Sequence, residues 1–441
     1  MTMKVLLVRP KYTSILVNLE PLGLEYVGGM LSGIGIPYDI FDEFNMTRLF
    51  INSRLSHKIK SQSFTHVGFH VNANSVDYCL NTAKKLKKKY PHLKILMGGP
   101  HVELNYKDFC IDEVDYVCYD NGLESLEVCY KENFKEEILQ NAKGIAFKDS
   151  SGKWVFKEKS PAICKYHVKP DRSHFYKGLK KNFIMQKGSY GIVRGSFSCP
   201  FNCSFCYCTK MNNGVYMERD LDEFIHEIRD IKHQNIWIMD DDFLINTERV
   251  KSFCYKMINA SQQPKKLMIY GRADSVVRNK EIMPLLYKAG VRDVMVGLEA
   301  VTDKLLDQYH KETTRNLNEE AIQILRENNI VCNGLFVISH ESNRQYFREL
   351  VSFIKKNKLL WVVFGIFTPY KGTLAYEQYK EQVEQLPSRK MDGAHVTVKP
   401  IHMSAFEFKM RFYWLHLIFY PKLFIRSWLK SAYDTKKTGW I

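Results

Sequence analysis

The chain has 441 residues, 64 Lys+Arg against 48 Asp+Glu, a formal net charge of +16 and 45% hydrophobic residues. That length and apolar content predict two or three units with sizeable cores, and exclude a disordered, collagen-like or disulfide-stapled chain. The excess charge is local: residues 141–180 hold ten Lys+Arg against three Asp+Glu, and 396–441 hold eight against two. With no recognition motif beside it, such charge gives nucleic-acid binding little support.

Residues 1–140 alternate β-rich runs with amphipathic stretches. Strands are predicted at 5–8, 36–41, 67–71, 95–97 and 114–118, and helices at 22–31 and 76–90. The second helix turns Tyr78, Ala83 and Leu86 inward. Its Lys-rich run over 84–89 reads as a solvated face. Five strands with intervening helices predict a doubly wound, Rossmann-like parallel sheet with its ligand beyond the strands' carboxyl ends. Residues 141–180 break the rhythm with Pro161, Pro170 and many lysines, predicting a basic linker with a small hairpin at 149–153.

From Ser189 the alternation restarts. Strands are predicted at 191–197, 236–239, 267–270, 291–297, 331–338 and 361–367, with helices at 218–233, 246–260, 279–289, 316–328 and 343–357. This pattern over 181–395 predicts a partial (βα)6 TIM barrel, again with chemistry at the carboxyl ends. Residues 396–441 form an aromatic and basic helical C-terminal region, with a helix pair expected over 403–433. The first ten residues are too short and polar for a signal peptide, and no run reaches the 18 apolar residues of a membrane span. Eleven cysteines, an odd number and mostly scattered, fit reduced thiols in a cytoplasmic protein.

The sharpest motif follows the first barrel strand: Cys199-Pro-Phe-Asn-Cys203-Ser-Phe-Cys206. Three cysteines at such spacing on one loop can hold three corners of an iron–sulfur cube and leave one iron open. The alternative is zinc, which usually takes four ligands in paired motifs. Cys208 could supply a fourth, at an unusual spacing, and otherwise reads as a bystander. Other candidates end successive barrel strands: Asp240-Asp241-Asp242, Arg272, Gly297-Leu-Glu299-Ala300, and Thr368-Pro-Tyr-Lys-Gly-Thr373. Each has a plain alternative, the aspartates as a metal site or helix cap and Glu299 as an ordinary ion-pair partner.

The cysteine motif, with Phe205 before its third cysteine, resembles the radical S-adenosylmethionine (SAM) superfamily. The resemblance implies that Cys199, Cys203 and Cys206 bind a [4Fe–4S] cluster, and that Phe205, Asp240, Asp241, Arg272 and Glu299 bind SAM. Lys371 departs from the family's Thr-Pro-x-Pro-Gly-Thr. Upstream, Glu20-Pro-Leu22-Gly23-Leu-Glu-Tyr26 and Met97-Gly98-Gly99-Pro100-His101 resemble the cobalamin-binding domain that precedes many radical SAM modules. It implies cobalamin contacts from Leu22, Gly23, Asn72, Ala73, Asn74, Gly98, Gly99, Pro100, Gly122 and Glu124. Two departures stand out: an Asp-x-His-x-x-Gly motif is absent, and Asp120-Asn-Gly122-Leu-Glu124 replaces the family's Gly-Glu-Gly-Glu. His70 and His101 read as ligands or as buried structural histidines.

The implied chemistry is reductive cleavage of SAM to a 5′-deoxyadenosyl radical, fed by a reducing protein such as flavodoxin or ferredoxin. With cobalamin, the outcome is methylation of an unactivated carbon in a small or lipid-like substrate. The alternatives are radical rearrangement, cyclisation or dehydrogenation, or a non-catalytic cluster-bearing binding or regulatory protein. The basic, aromatic segment 403–433 reads three ways: peripheral contact with an anionic membrane, a clamp on an anionic substrate, or a helix packed on the barrel.

Overall fold

A computed structural model describes residues 2–11, 17–46, 51–177, 183–184, 188–260 and 265–420. Val5–Arg9 (β1) is buried at every position, as suits a central parallel strand covered on both faces. Beside it lie Tyr38–Asp42 (β2), His66–His70 (β3), Lys94–Gly98 (β4) and Tyr116–Cys118 (β5), in the order β2-β1-β3-β4-β5. All these pairings are parallel. The winding reverses between β1 and β3, which opens a crevice at their carboxyl ends.

The sheet continues past β5. Ile145–Lys148 (β6) and Trp154–Phe156 (β7) add as an antiparallel hairpin. The stretch expected to be a linker therefore starts inside the sheet. β5 is only three residues long, and Ile145, Ala146 and Phe147 bury themselves along what would otherwise be an open edge. Residues 166–171 strap helix α1 (Leu22–Gly33), the Asp171 amide donating to the Glu25 carbonyl. A Cβ on Gly29 would sit 1.9 Å from the Lys169 carbonyl oxygen, so only glycine admits the strap there.

The barrel strands are Gly191–Val193 (β8), Asn235–Ile238 (β9), Lys266–Arg272 (β10), Val291–Glu299 (β11), Val331–Ile338 (β12) and Trp361–Ile366 (β13). They pair in sequence order, all parallel. Side-chain caps set the helices between them: Asp220 accepts from the Asp222 and Glu223 amides, Thr314 from Leu317, and Asn343 from Tyr346. Most boundaries shift by a few residues, and two elements differ more. The first strand ends at Val193, because Ser196–Phe197 leaves to pair antiparallel with Met217–Glu218. The helix expected over 279–289 is Ala273–Arg278 followed by Met283–Lys288, the second opening on Pro284.

The open barrel is closed at both edges. Glu20 accepts the Ile192 amide at 2.7 Å on one side, and Gly393 accepts the Ile366 amide at 2.6 Å on the other. Leu19 and Leu22 pack into the interior cluster of Tyr190, Ile192, Trp237, Met268 and Met295. Helix Ala405–Phe419 packs Phe408, Phe412 and Leu415 onto the barrel core and leaves Phe406, Met410, Trp414 and Leu417 exposed. The second helix expected there, with Lys422, Phe424, Arg426 and Lys430, lies outside the described residues. Among the described residues no helix is long and apolar enough to cross a membrane.

Candidate active site

The loops beyond the two sheets meet. Glu103 accepts the Asn212 amide at 2.9 Å, Ser388 and Asp77 exchange hydrogen bonds, and Asn105 donates to the Lys371 carbonyl. Lys371 itself pairs with Asp108, so the lysine that departs from the Thr-Pro-x-Pro-Gly-Thr pattern joins the two halves. A buried strap ties the other flank, where Arg172 bridges Glu20 and Glu227. The loops at the carboxyl ends of both sheets thus lie against one another.

On the barrel side, Cys199, Cys203 and Cys206 are half-buried free thiols on one loop. Burial pushes Cys199 up to about 12. Burial also raises Cys203, opposed by the charges of Lys311 and Arg272. Cys206 is held below the usual thiol range, first by a hydrogen bond from the Cys208 thiol. The Cys208 amide donates to the same sulfur at 3.5 Å. Cys208 is therefore a partner of the third cysteine. Among the described residues, no three Cys, His, Asp or Glu side chains are arranged to share a single metal ion. A cube, in which each thiolate takes its own iron, makes no such demand.

Arg272 reaches this loop directly. Its guanidinium lies 3.8 Å from the Phe201 ring centroid and donates to Cys203 Sγ at 3.6 Å and Asp274 at 2.8 Å. It also donates to the Lys311 carbonyl. Glu299, at the end of β11, has φ +56 and takes the Lys311 ammonium at 2.9 Å. Burial works against that ammonium, yet Glu299 and Cys203 draw its affinity for the proton upward. Phe205 meets Tyr309 edge-on at 5.3 Å. Lys311 escaped the sequence reading, which found no motif around it.

The three aspartates divide their work. Asp240 accepts the Gly195 amide at 2.5 Å, and burial raises it to about 6. Asp242 accepts from the Leu244 amide and the Ser275 hydroxyl. Both hold the local backbone. Asp241 pairs with Arg194 at 3.1 Å, and its charge reaches Cys199 and Cys206. The Asp242 charge also reaches Cys199, and Asp241 alone of the three has a side-chain hydrogen bond to Cys208.

On the opposite side, several expected residues gather at the switch point. The Val71 amide donates to Gly98 at 2.7 Å and the His101 amide to Val71 at 3.2 Å. Gly99 has φ +109, and a Cβ there would stand 2.9 Å from the Val71 amide nitrogen. Its glycine is required by this turn before any ligand is considered. Pro100 opens a short helix behind it. Asn72 caps the turn Ala73–Ser75, and Asn74 leaves Oδ1 buried without a partner. His70 lies between Gly23 and Gly99, and burial lowers it to about 4, so it is a neutral ring. His101, also lowered to about 4 by burial, meets Phe109 edge-on. Leu22 packs between the sheet's core and the barrel interior cluster. Gly122 and Glu124 face the strap, beside Ile163 and His167 respectively. Next to them Asn121 Oδ1 is likewise buried and unpartnered. These acceptors fit a bulky ligand rich in amide N–H groups, as cobalamin is, because buried polar atoms otherwise find partners.

Residues 194–354 match the radical SAM superfamily. Over 426 residues the chain is 25% identical to an anaerobic magnesium-protoporphyrin IX monomethyl ester cyclase of Cereibacter sphaeroides, covering 90% of this chain and 67% of the relative. It is 22% identical to the hopanoid C-3 methylase of Methylococcus capsulatus, covering 90% and 76%. Among solved structures, it resembles the radical S-adenosylmethionine methyltransferase TsrM from Kitasatospora setae, which was solved with cobalamin and a [4Fe–4S] cluster. The TM-score is 0.67 at 16% identity, over 93% of this chain and 82% of that one. The expected α/β architecture is shared with that structure.

Proposed function

The chain carries a radical SAM domain across residues 194–354, and from that premise we propose that it is a cobalamin-dependent radical C-methyltransferase. The carrying observation is that the loops beyond the sheet and those beyond the barrel meet, Glu103 accepting the Asn212 amide a few residues past the cysteine motif. Cys199, Cys203 and Cys206 would hold the [4Fe–4S] cluster, and Phe205, Asp241, Arg272 and Glu299 would receive SAM, with Asp240 fixing the Gly195 turn behind them. Gly23, Asn72–Asn74 and Gly98–Pro100 would border cobalamin, with Leu22, Gly122 and Glu124 at the margins. When bound, the cluster supplies the electron that cleaves SAM to a carbon radical, and cobalamin supplies a methyl carrier.

The chain's own residues orient and exclude water. Arg272 and Lys311 place two buried cations beside Cys203, which favours its thiolate. Met239, Tyr270, Leu335 and Val363 line the barrel interior around the Trp237 cluster, a dry surface suited to a small or lipid-like substrate. A reducing protein such as flavodoxin or ferredoxin would deliver the electron.

The cyclase relative favours a second reading, radical ring closure on the same site. Anaerobic reconstitution with SAM and reductant tests both. We expect 5′-deoxyadenosine, and transfer of isotope from methyl-labelled SAM to a product. Deoxyadenosine with an unlabelled, cyclised product would favour the second reading. A reconstituted chain with substrate extracts that releases no deoxyadenosine would leave a non-catalytic cluster protein.

A further inference from the structure

The turn after helix Asp303–Gln308 is built with residues that rarely adopt its conformation. The His310 amide donates to Asp307 and the Lys311 amide to Leu306, the paired bonds of a helix end whose left-handed position usually falls to glycine. Here His310 has φ +51, and Glu312 follows with φ +55. Such conformations cost energy for residues with a side chain, and persist where surrounding contacts over-determine them.

What they achieve is a node. Lys311, 5% exposed, extends its ammonium to Glu299, whose own φ is +56. The Lys311 carbonyl accepts from Arg272, which also touches Cys203. The cysteine loop is tied to the same turn: the Ser204 amide donates to Tyr309 at 3.0 Å, and its hydroxyl to Gln308 at 3.2 Å. One turn therefore joins Glu299, Arg272 and the cluster loop.

We propose that Lys311 is a positioning residue that fixes the Glu299 carboxylate for SAM and offsets negative charge at the cluster. This rests on the reading of Cys199, Cys203 and Cys206 as cluster ligands and Glu299 as a SAM contact. An ammonium beside a thiolate ligand stabilises the reduced, more negative cluster and so raises its potential. Removing it also leaves Glu299 buried without its partner.

The test uses the full chain, reconstituted anaerobically as wild type, Lys311→Met, Lys311→Arg, Glu299→Gln and the Glu299→Gln/Lys311→Met double variant. The readouts are iron and sulfide per chain, SAM affinity by equilibrium binding, and the SAM-free midpoint potential by EPR-monitored titration. Lys311→Met should keep its cluster, bind SAM about tenfold more weakly, and show a more negative midpoint. Lys311→Arg, which retains the charge, should keep the midpoint and lose less SAM affinity; it carries the comparison if Lys311→Met fails to fold. The double variant should bind SAM no worse than Glu299→Gln alone. A loaded Lys311→Met with unchanged affinity and midpoint would overturn this proposal and spare the parent reading. For Lys311→Arg standing alone, a midpoint moved as far as loss of the charge would move it does the same. Wild type that takes up no cluster would overturn both.

Discussion

Beyond the N-terminal sheet, the turn after β4 is held by backbone, the Val71 and His101 amides bonding across Gly98–Gly99, while Arg9 pairs with Asp42 at the ends of β1 and β2. The loops beyond the barrel are held by charge: Glu299 on Lys311, Arg272 on Asp274, Asp241 on Arg194. The backbone-built turn after β4 presents neutral amides and suits a large neutral ligand surface. A rim of paired charges in a buried setting suits a charged cofactor and an anionic cluster, because each charge there acts in a low dielectric. The two rims therefore respond to different substitutions.

The largest expected effect is Cys203→Ala, which should abolish cluster uptake and deoxyadenosine formation while cobalamin retention persists. Joint loss would break the separation of the two rims. Next comes Arg172→Met, which leaves Glu20 buried and unpaired between the halves. Breaking such a pair should cost about 3–5 kcal/mol in chemical denaturation.

Asp240 follows. Burial raises it from 3.8 to about 6, so the folded chain holds this proton more tightly than the unfolded one. Its contribution is fullest below about pH 3.8 and is lost as pH rises through about 6, on the order of 2–3 kcal/mol. Asp240→Asn should flatten that part of the stability profile, measured by denaturant unfolding at several pH values.

On the other rim, Gly99→Ala places a methyl 2.9 Å from the Val71 nitrogen at φ +109. It should cost about 1–3 kcal/mol and lower cobalamin retention, read by visible spectrum, with cluster content intact. The smallest effect is Lys371→Met. Its pair with Asp108 is surface-exposed, so stability should fall by less than about 1 kcal/mol.

The sequence revealed most where spacing alone carries meaning. Cysteines at 199, 203 and 206 stand out by their spacing as one loop, and the β/α alternation declares both sheets. It was weaker where roles depend on orientation. Three consecutive aspartates look equivalent until the Gly195 turn claims Asp240 and Ser275 claims Asp242. The hairpin turning at 149–153 is legible from its residues, but not that its first strand, β6, also adds to the open edge of β5, because that edge is set by the tertiary fold. Lys311 stayed hidden because its turn has no glycine to mark it.

The hydrogen bond from Ile192 to Glu20 spans 172 residues. The first barrel strand thus finishes its own edge with a group synthesised long before it. Domains emerging from the ribosome tend to fold in order, N-terminal first. The segment around Glu20 would then await the barrel as a ready surface, and the barrel would assemble onto a template already in place.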